Sequence, residues 1–530
     1  MKFLLRIGLA ALSVFFVQPL FALDIVPYPL RVETKPGAFN LGHCTGILYT
    51  GNCQKEAAFL RDVLAKEHQV SLPADKNNAS AWGPSIVCTV DTKLSASLGK
   101  EGYDLTVSPD NIQIRAADPA GIFYAIQTIR QIITRSNFVP SCHIFDKPRF
   151  AWRSFMLDEG RYFKGEKVVK QLLDQMALLK MNVFQWHLTD DQGWRIEIKK
   201  YPLLTTIGSK RDSSQIGGWN NPVYDGVPHQ GFYTQQQIRD IVRYAADRHI
   251  TIVPEIEMPG HASAAIAAYP YLGAENKPIK VPAKFGVQYN VFNVADPRVQ
   301  RFIGDVLDEV LGLFPSKVIH IGGDEVRYDQ WKNSAQVTAY LKQHGLQSPA
   351  DLQVSFTNNI SHLLEDKHRR MMGWNEILGG KIHEYNNSQD AIARQKLSPS
   401  AIIQFWTGDT SLITTAAEAG YDIVNSLSNY TYLDYDYKTT SVEKAYSFEP
   451  VPVGLPARDT ARILGLGCQM WGEWIPTVAR MNEQVYPRLA AYAETGWTSR
   501  RNKDYRRWLA ALPELEARWS KEGIQFTAVK

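Results

Sequence analysis

Apolar positions change their spacing partway along this chain. In residues 23–148 short alternating runs dominate: Tyr103, Leu105 and Val107 alternate with polar neighbours as a half-buried strand requires, and 111–114 repeats the pattern as a hairpin partner. Asp118-Pro119-Ala120-Gly121 then opens a run in which Ile122, Ile126 and Ile129 recur at helical spacing, with Asp and Pro where a helix start favours them. These elements predict a small α+β domain ending at the junction Phe145-Asp146-Lys147-Pro148-Arg149.

Residues 149–530 follow another rhythm. Short apolar runs at 152–157, 182–188, 251–256, 318–321, 371–374, 402–406, 423–426 and 463–471 read as strands. Helical stretches such as 168–180, 235–248 and 300–312 separate most of them, and a further helix closes the chain. Eight strands with intervening helices predict a (β/α)8 TIM barrel; a doubly wound open sheet is the alternative. The fold class is therefore α/β, with a small α+β accessory domain before the barrel.

A chain of 530 residues exceeds one ordinary core, in keeping with two domains. The first 22 residues place Lys2 and Arg6 before an apolar run ending in small residues at Ala22, which predicts a signal peptide and export to a periplasmic, extracellular or lysosomal compartment. A membrane anchor is the competing reading; the run is short for a span and Pro19 interrupts it. Loss of Lys2 and Arg6 would lower the formal charge of +4 by two, too little to imply nucleic acid or an anionic membrane as partner. Five cysteines allow at most two bridges; Cys44 and Cys53 are near enough to close a small loop, and Cys468 sits in an apolar run as a buried thiol. No Cys/His spacing resembles a metal site, and no cofactor is implied. Sequons occur at Asn78, Asn359, Asn386 and Asn429.

In a barrel, chemistry gathers where strands end. Those ends carry Asp158, Asp190-Asp191, Glu257 through His261, Asp324-Glu325, Trp374-Asn375-Glu376, Trp406, Asn425 and Trp471-Gly472-Glu473. A barrel core does not need this, whereas a sugar pocket does, because flat rings cover the apolar face of a pyranose. The densest signal is Val318-Ile319-His320-Ile321-Gly322-Gly323-Asp324-Glu325: two glycines permit a tight turn that presents two adjacent acids. Neighbouring carboxylates disfavour double ionisation, so one can keep a proton and act as general acid. The plainer reading is an acidic pair at a helix start.

His-Ile-Gly-Gly-Asp-Glu resembles the signature of glycoside hydrolase family 20, the β-N-acetylhexosaminidases. Phe150-Ala151-Trp152-Arg153 with Leu157-Asp158 and Arg161 is similar to the family's first barrel strand, and Trp186 through Arg195 to its second. Pro254-Glu255-Ile256-Glu257-Met258-Pro259-Gly260-His261 resembles the third, and Asp118 through Tyr124 the accessory domain.

The resemblance implies an exo-acting enzyme that removes terminal N-acetylglucosamine or N-acetylgalactosamine with retention, the substrate's acetamido group serving as nucleophile. It implies Glu325 as acid/base, Asp324 as acceptor of the acetamido N–H, and Tyr432 as donor to the acetamido oxygen. It implies Arg153 gripping sugar hydroxyls; Trp374, Trp406 and Trp471 as pocket walls; and Asp434 and Glu473 as acceptors from outer hydroxyls. Asp190 and His261 are expected as a pair behind the acid that tunes its proton affinity, with Asp191 structural. Relatives carry a further tryptophan on the helix before the fifth strand; Phe356 falls nearest that position. A sugar-binding protein without activity, and a glycosidase using an enzyme carboxylate as nucleophile, are the alternatives. Source polymer, gluco or galacto preference and oligomeric state are not encoded in these motifs.

Overall fold

The structure is a computed structural model describing residues 23–76, 83–380 and 392–529; the leader segment and the sequons at Asn78 and Asn386 lie outside the described residues. The first unit comprises β1 (Arg31–Asn40), β2 (Ile47–Thr50), α1 (Gln54–His68), β3 (Ala74–Lys76), β4 (Ser85–Val90), β5 (Tyr103–Val107), β6 (Asn111–Ala116), α2 (Pro119–Ile132) and β7 (Phe138–Asp146). Its strands form one sheet in the order β1-β7-β5-β6-β4-β2-β3. The hairpin β5–β6 is antiparallel, with Tyr103 opposite Ala116 and Val107 opposite Ile112. Asp118 caps α2 by accepting from Ala120 N at 3.0 Å, and Ile122, Ile126 and Ile129 are buried. The Cys44–Cys53 bridge considered from sequence is not formed: Cys53 Sγ turns to the Thr50 carbonyl at 3.4 Å under the start of α1, and all five thiols are free.

The second unit is a closed barrel of eight parallel strands: β8 (Trp152–Asp158), β9 (Val183–His187), β10 (Thr251–Glu255), β11 (Val318–His320), β12 (Arg370–Trp374), β13 (Ile402–Phe405), β14 (Asp422–Asn425) and β15 (Ile463–Met470). Helices α3 (Glu166–Leu178), α4 (Gln235–Ala246), α5 (Pro297–Leu313) and α6 (Pro349–Asp366) pack outside, and α7 (Tyr505–Lys521) lies near the C-terminus. Each strand falls within a residue or two of an apolar run read from sequence.

Period-two alternation sorts the interior into layers. Val183, Val253, Val318, Met372, Ile402 and Val424 form an apolar plug in the lower barrel. Two residues further along each strand the inward positions are Gln185, Glu255, His320, Trp374, Gln404 and Ser426. Buried polar groups need partners, and these supply one another. Glu255 accepts from Gln185 Nε2 at 2.7 Å and from Trp374 Nε1 at 2.9 Å; Gln404 Nε2 and Gln469 Nε2 both donate to Ser426 Oγ. The barrel thus fills with oil at the bottom and a hydrogen-bonded polar floor above it.

The two units lock through buried charge. Lys180, at the loop before β9, meets Asp146 at 3.1 Å and Tyr103 Oη at 2.9 Å, and Trp497 Nε1 donates to the same Asp146.

Candidate active site

After β11 the chain turns through Gly322 (φ 66°) and Gly323 (φ 87°). A Cβ on Gly322 would lie 1.7 Å from Glu257 Oε2, so no side chain fits there. The turn aims Asp324 and Glu325 at the barrel mouth. Glu325 itself is left-handed (φ 51°), a conformation costing a non-glycine residue about 1 kcal/mol or more. Its N–H donates to Glu376 Oε2 at 2.7 Å, from the loop after β12. Gln353 of α6 donates to the Gly323 carbonyl at 2.8 Å and accepts from Tyr328 Oη. The two acids are therefore held from beneath and from both flanks.

His261, also left-handed (φ 47°), stands behind them. Its Nε2 is 3.4 Å from Glu325 Oε2 and 3.8 Å from Asp324 Oδ2, while Nδ1 is 3.2 Å from Asp191 Oδ2 and 3.4 Å from Asp190 Oδ1. Burial opposes charge on His261, yet Asp190, Asp191 and Glu325 outweigh it and hold the imidazole proton well above the usual histidine range. For Asp324, burial pushes the carboxyl up to about 7 against the pull of His261, with Glu376 and Glu325 adding to the rise.

Asp191 was expected to be structural; it is the nearer partner of His261 and also accepts from Ser263 N at 2.9 Å. Asp190 belongs more to its other neighbours, Arg161 NH1 at 2.8 Å and His187 Nε2 at 2.8 Å. Burial raises its proton affinity, but Arg161, His261 and His187 reverse that and keep it ionised.

Arg153 is the clearest correction. It lies at the entry of β8, the far end from the mouth, and its side chain is wholly buried. Its fork grips Glu101 of the accessory domain at 2.9 Å and donates to the carbonyls of Phe150 and Lys180. No donor is left for a sugar. The arginine at the exit of β8 is Arg161, which contacts Asp158 at 3.2 Å and Glu473 at 3.7 Å and stacks 5.2 Å over Trp471. The sequence offered both arginines within one motif; strand direction separates them by the height of the barrel.

An aromatic cage lines the opposite side. Trp374 and Trp471 lie 5.7 Å apart, Trp471 and Tyr432 5.9 Å, and Tyr432 and Trp406 stack at 6.0 Å with planes 7° apart. Asp434 and Glu473 sit together at the outer edge; burial first, and then the neighbouring acids, raises both carboxyls, with Arg161 opposing at Glu473. Phe356 does not join the cage. It lines a separate cavity of about 180 Å³ with Val294, Tyr340, Leu352 and Ile360.

Sequence reasoning assigned no role to the buried layer beneath. His187 lies between Asp190 and Glu255, and burial is overcome by Glu255 and Asp190 to raise its proton affinity to about 10. The alternation of β9 and β10 could have revealed it, since inward positions there are polar. Among the described residues, three groups of donors approach within ligating distance of one another: His187-Glu255-Glu257, Asp190-Asp191-His261 and His261-Asp324-Glu325. In each, the histidine lies between carboxylates that favour its protonated form, which suits an ion-pair network.

An eight-stranded β/α barrel whose strand ends combine adjacent acids, a charged histidine, an arginine and an aromatic cage has the layout of a sugar-cleaving barrel enzyme. Comparison with known proteins gives the family. The model of the glycosyl hydrolase family 20 catalytic domain matches residues 150–500, and that of the family's domain 2 matches residues 22–147. The chain belongs to glycosyl hydrolase family 20. It is 36% identical over 527 residues to a β-hexosaminidase of Porphyromonas gingivalis, covering 95% of this chain and 64% of that protein. It is 34% identical to one from Vibrio furnissii, covering 89% and 76%. Among solved structures, a GH20 exo β-N-acetylglucosaminidase from Vibrio harveyi in complex with N-acetylglucosamine superposes with a TM-score of 0.82 at 31% identity, over 96% of this chain and 78% of that one. A β-N-acetylhexosaminidase from Bacteroides fragilis gives 0.79 at 30%, over 95% and 97%. The chain thus spans just under two thirds of the Porphyromonas relative's length.

Proposed function

We propose that this chain is an exo-acting β-N-acetylhexosaminidase that works with retention through the substrate's own acetamido group. The observation that carries the reading is the adjacency of Asp324 and Glu325 on one rigid turn, facing Tyr432 and the tryptophan cage. Two acids on neighbouring residues cannot flank a sugar ring from opposite faces as a nucleophile and an acid must. They can serve two atoms on the same side, the glycosidic oxygen and the acetamido nitrogen.

In the first step the acetamido carbonyl oxygen bonds to C1 as the glycosidic bond breaks, and Glu325 gives its proton to the departing oxygen. Asp324 accepts the acetamido N–H and balances the positive charge that spreads over the oxazolinium ring. Tyr432 donates to the acetamido oxygen and orients it. Water then attacks C1, its proton passes to Glu325, and the ring opens to the product with its original configuration. His261 holds positive charge behind both acids throughout. Arg161, Asp434 and Glu473 are suited to the outer hydroxyls, and Trp471 to the apolar face of the ring.

The names of the similar proteins support the activity, and the basic-then-apolar leader supports export. The direct test is a hydrolysis panel: aryl N-acetylglucosaminide, N-acetylgalactosaminide, plain glucoside and chitobiose. The expected result is turnover of the acetamido sugars only, with strong inhibition by a thiazoline mimic of the oxazolinium. Equal turnover of the glucoside would overturn the reading. The mass of the exported N-terminus tests the leader; an uncleaved Met1 would refute it.

A further inference from the structure

The loop after β12 is a single 3-10 turn, Asn375–Leu378, and it braces the turn that carries the two acids. Trp374 N donates to the Gly322 carbonyl at 2.9 Å, and a Cβ on Gly323 would lie 2.5 Å from Ile377 Cγ2, so this segment packs directly against the two glycines. From the same segment Glu376 reaches across, its Oε2 2.7 Å from the Glu325 amide. On the other flank the segment holds the cage: Asn375 Oδ1 accepts from Trp406 N at 3.0 Å, and its Nδ2 donates to the Thr407 carbonyl at 3.0 Å. One short turn therefore sets both the acid pair and a wall of the pocket.

Glu325 needs the brace. Its φ of 51° is one that residues other than glycine adopt at a cost, and the chain reaches it through Gly322 at 66° and Gly323 at 87°. A hydrogen bond from an amide to a carboxylate is about twice as strong as one to a neutral acceptor, which suits such a tether. It is also costly to place, because a further carboxyl beside two adjacent acids repels both. A glutamine would tether the amide without that repulsion. The choice of an acid points to a use for the charge itself.

Asp324 is where that charge is felt. Burial pushes its carboxyl up to about 7, His261 opposes, and among the neighbouring acids Glu376 ranks first, ahead of Glu325 and Glu255. The groups that face Asp324 are His261 Nε2 at 3.8 Å, Glu325 beside it, Glu376 from the loop after β12, Glu255 and Glu257 from β10 and its loop, and Tyr432 from the cage.

We infer that Glu376 is a positioning residue for the acid pair: its carboxylate fixes the Glu325 backbone in the left-handed turn and presses a further negative charge on Asp324, so that the Asp324 anion is relieved as positive charge grows on the bound sugar. This rests on the reading of the pocket given above. An anion crowded by like charge gains more from a developing cation than a relaxed one does. Because backbone and packing already hold the crowd in place, no reorganisation is needed when the cation forms. The gain has a counterpart: a crowded acid takes up its proton at higher pH, which narrows the acid side of the working range.

Glu376→Gln keeps an acceptor oxygen and removes the charge; Glu376→Ala removes both. On an aryl N-acetylglucosaminide, Glu376→Gln should bring the midpoint of the acid limb of kcat/KM down by about 0.5–1 pH unit and lower kcat by about threefold to tenfold. Glu376→Ala should show the same displaced limb with kcat lower by about 10²-fold, since the tether goes too. An acid limb unmoved in Glu376→Gln would overturn the proposal, whether or not Glu376→Ala folds. The charge also reads out without substrate. A carboxyl raised in the folded state contributes stability that is lost as pH rises through its folded value, so a smaller rise in Glu376→Gln should let its melting temperature gain on the parent between about pH 4 and about pH 8. A constant difference would overturn the role of the charge. A parent that hydrolysed no acetamido sugar would strike the reading of the pocket instead, and the melts would still decide the charge.

Discussion

His261 Nε2 lies 3.4 Å from Glu325 Oε2 while Nδ1 of the same ring lies 3.2 Å from Asp191 Oδ2, so one buried ring joins Glu325 to a carboxyl deep in the barrel wall. In the proposed mechanism the ring favours the charged form of Glu325 in its change from acid to base. His261→Ala is expected to lower kcat by about 10–100-fold, the usual cost of removing an orienting charged neighbour, and to move the pH–rate profile. A lower kcat with an unmoved profile would reduce His261 to a packing role.

If Glu325 is the proposed acid, Glu325→Gln removes the proton needed only by basic leaving groups. Its kcat on chitobiose should fall by about 10²–10⁴-fold, and far less on an aryl glycoside whose phenol leaves unaided. Equal losses on both would contradict the role.

In the proposed mechanism Asp324 accepts the acetamido N–H only when ionised, and burial pushes its carboxyl up to about 7. With the charged form active, kcat/KM for the aryl glycoside should decline as pH falls through about 7. Asp324→Asn should lose about 10²–10³-fold in kcat and lose that acid limb as well. An acid limb that persisted in the variant would belong to another group.

Arg161 and Arg153 should separate in kind. Arg161→Ala is expected to reduce kcat/KM by about 10²-fold through lost charged hydrogen bonds, and also to lower the melting temperature because Asp158 and Asp190 are left buried without their partner. Arg153→Ala leaves Glu101 largely buried without its partner and should cost about 3 kcal/mol of stability with KM unchanged. Thermal melts and initial rates on both variants decide it; a raised KM in Arg153→Ala would restore that arginine to the pocket.

Gly322→Ala puts a methyl against the Glu257 carboxyl and cannot keep the turn. The expected result is a drop in kcat of about 10²-fold or more with the circular dichroism of the barrel retained, since the misplacement is local. A fully active variant would show that the turn has slack.

The eight barrel strands and the accessory hairpin were legible because each rests on local alternation, which the chain carries residue by residue. The acid pair was legible too, since two glycines before adjacent acids at a strand end leave few uses, and the resemblance to a known family assigned the roles. Cys44 and Cys53 show where closeness in sequence fails: burial under a helix start turns one thiol away.

What the chain alone determined was the class of each element and the list of polar groups at strand ends. Tertiary structure decided which of them meet. Arg153 and Arg161 share one motif, but a parallel strand carries the first to the domain junction and the second to the mouth. Phe356 sits on the expected helix, yet it lines a separate cavity with Leu352 and Ile360, while Gln353 one turn earlier reaches the turn that carries the two acids. Asp191 rather than Asp190 faces His261 most closely because the turn after β9 rotates one carboxylate toward the third strand's loop. Such choices depend on direction, phase and the closure of a barrel across hundreds of residues, quantities that no local pattern contains.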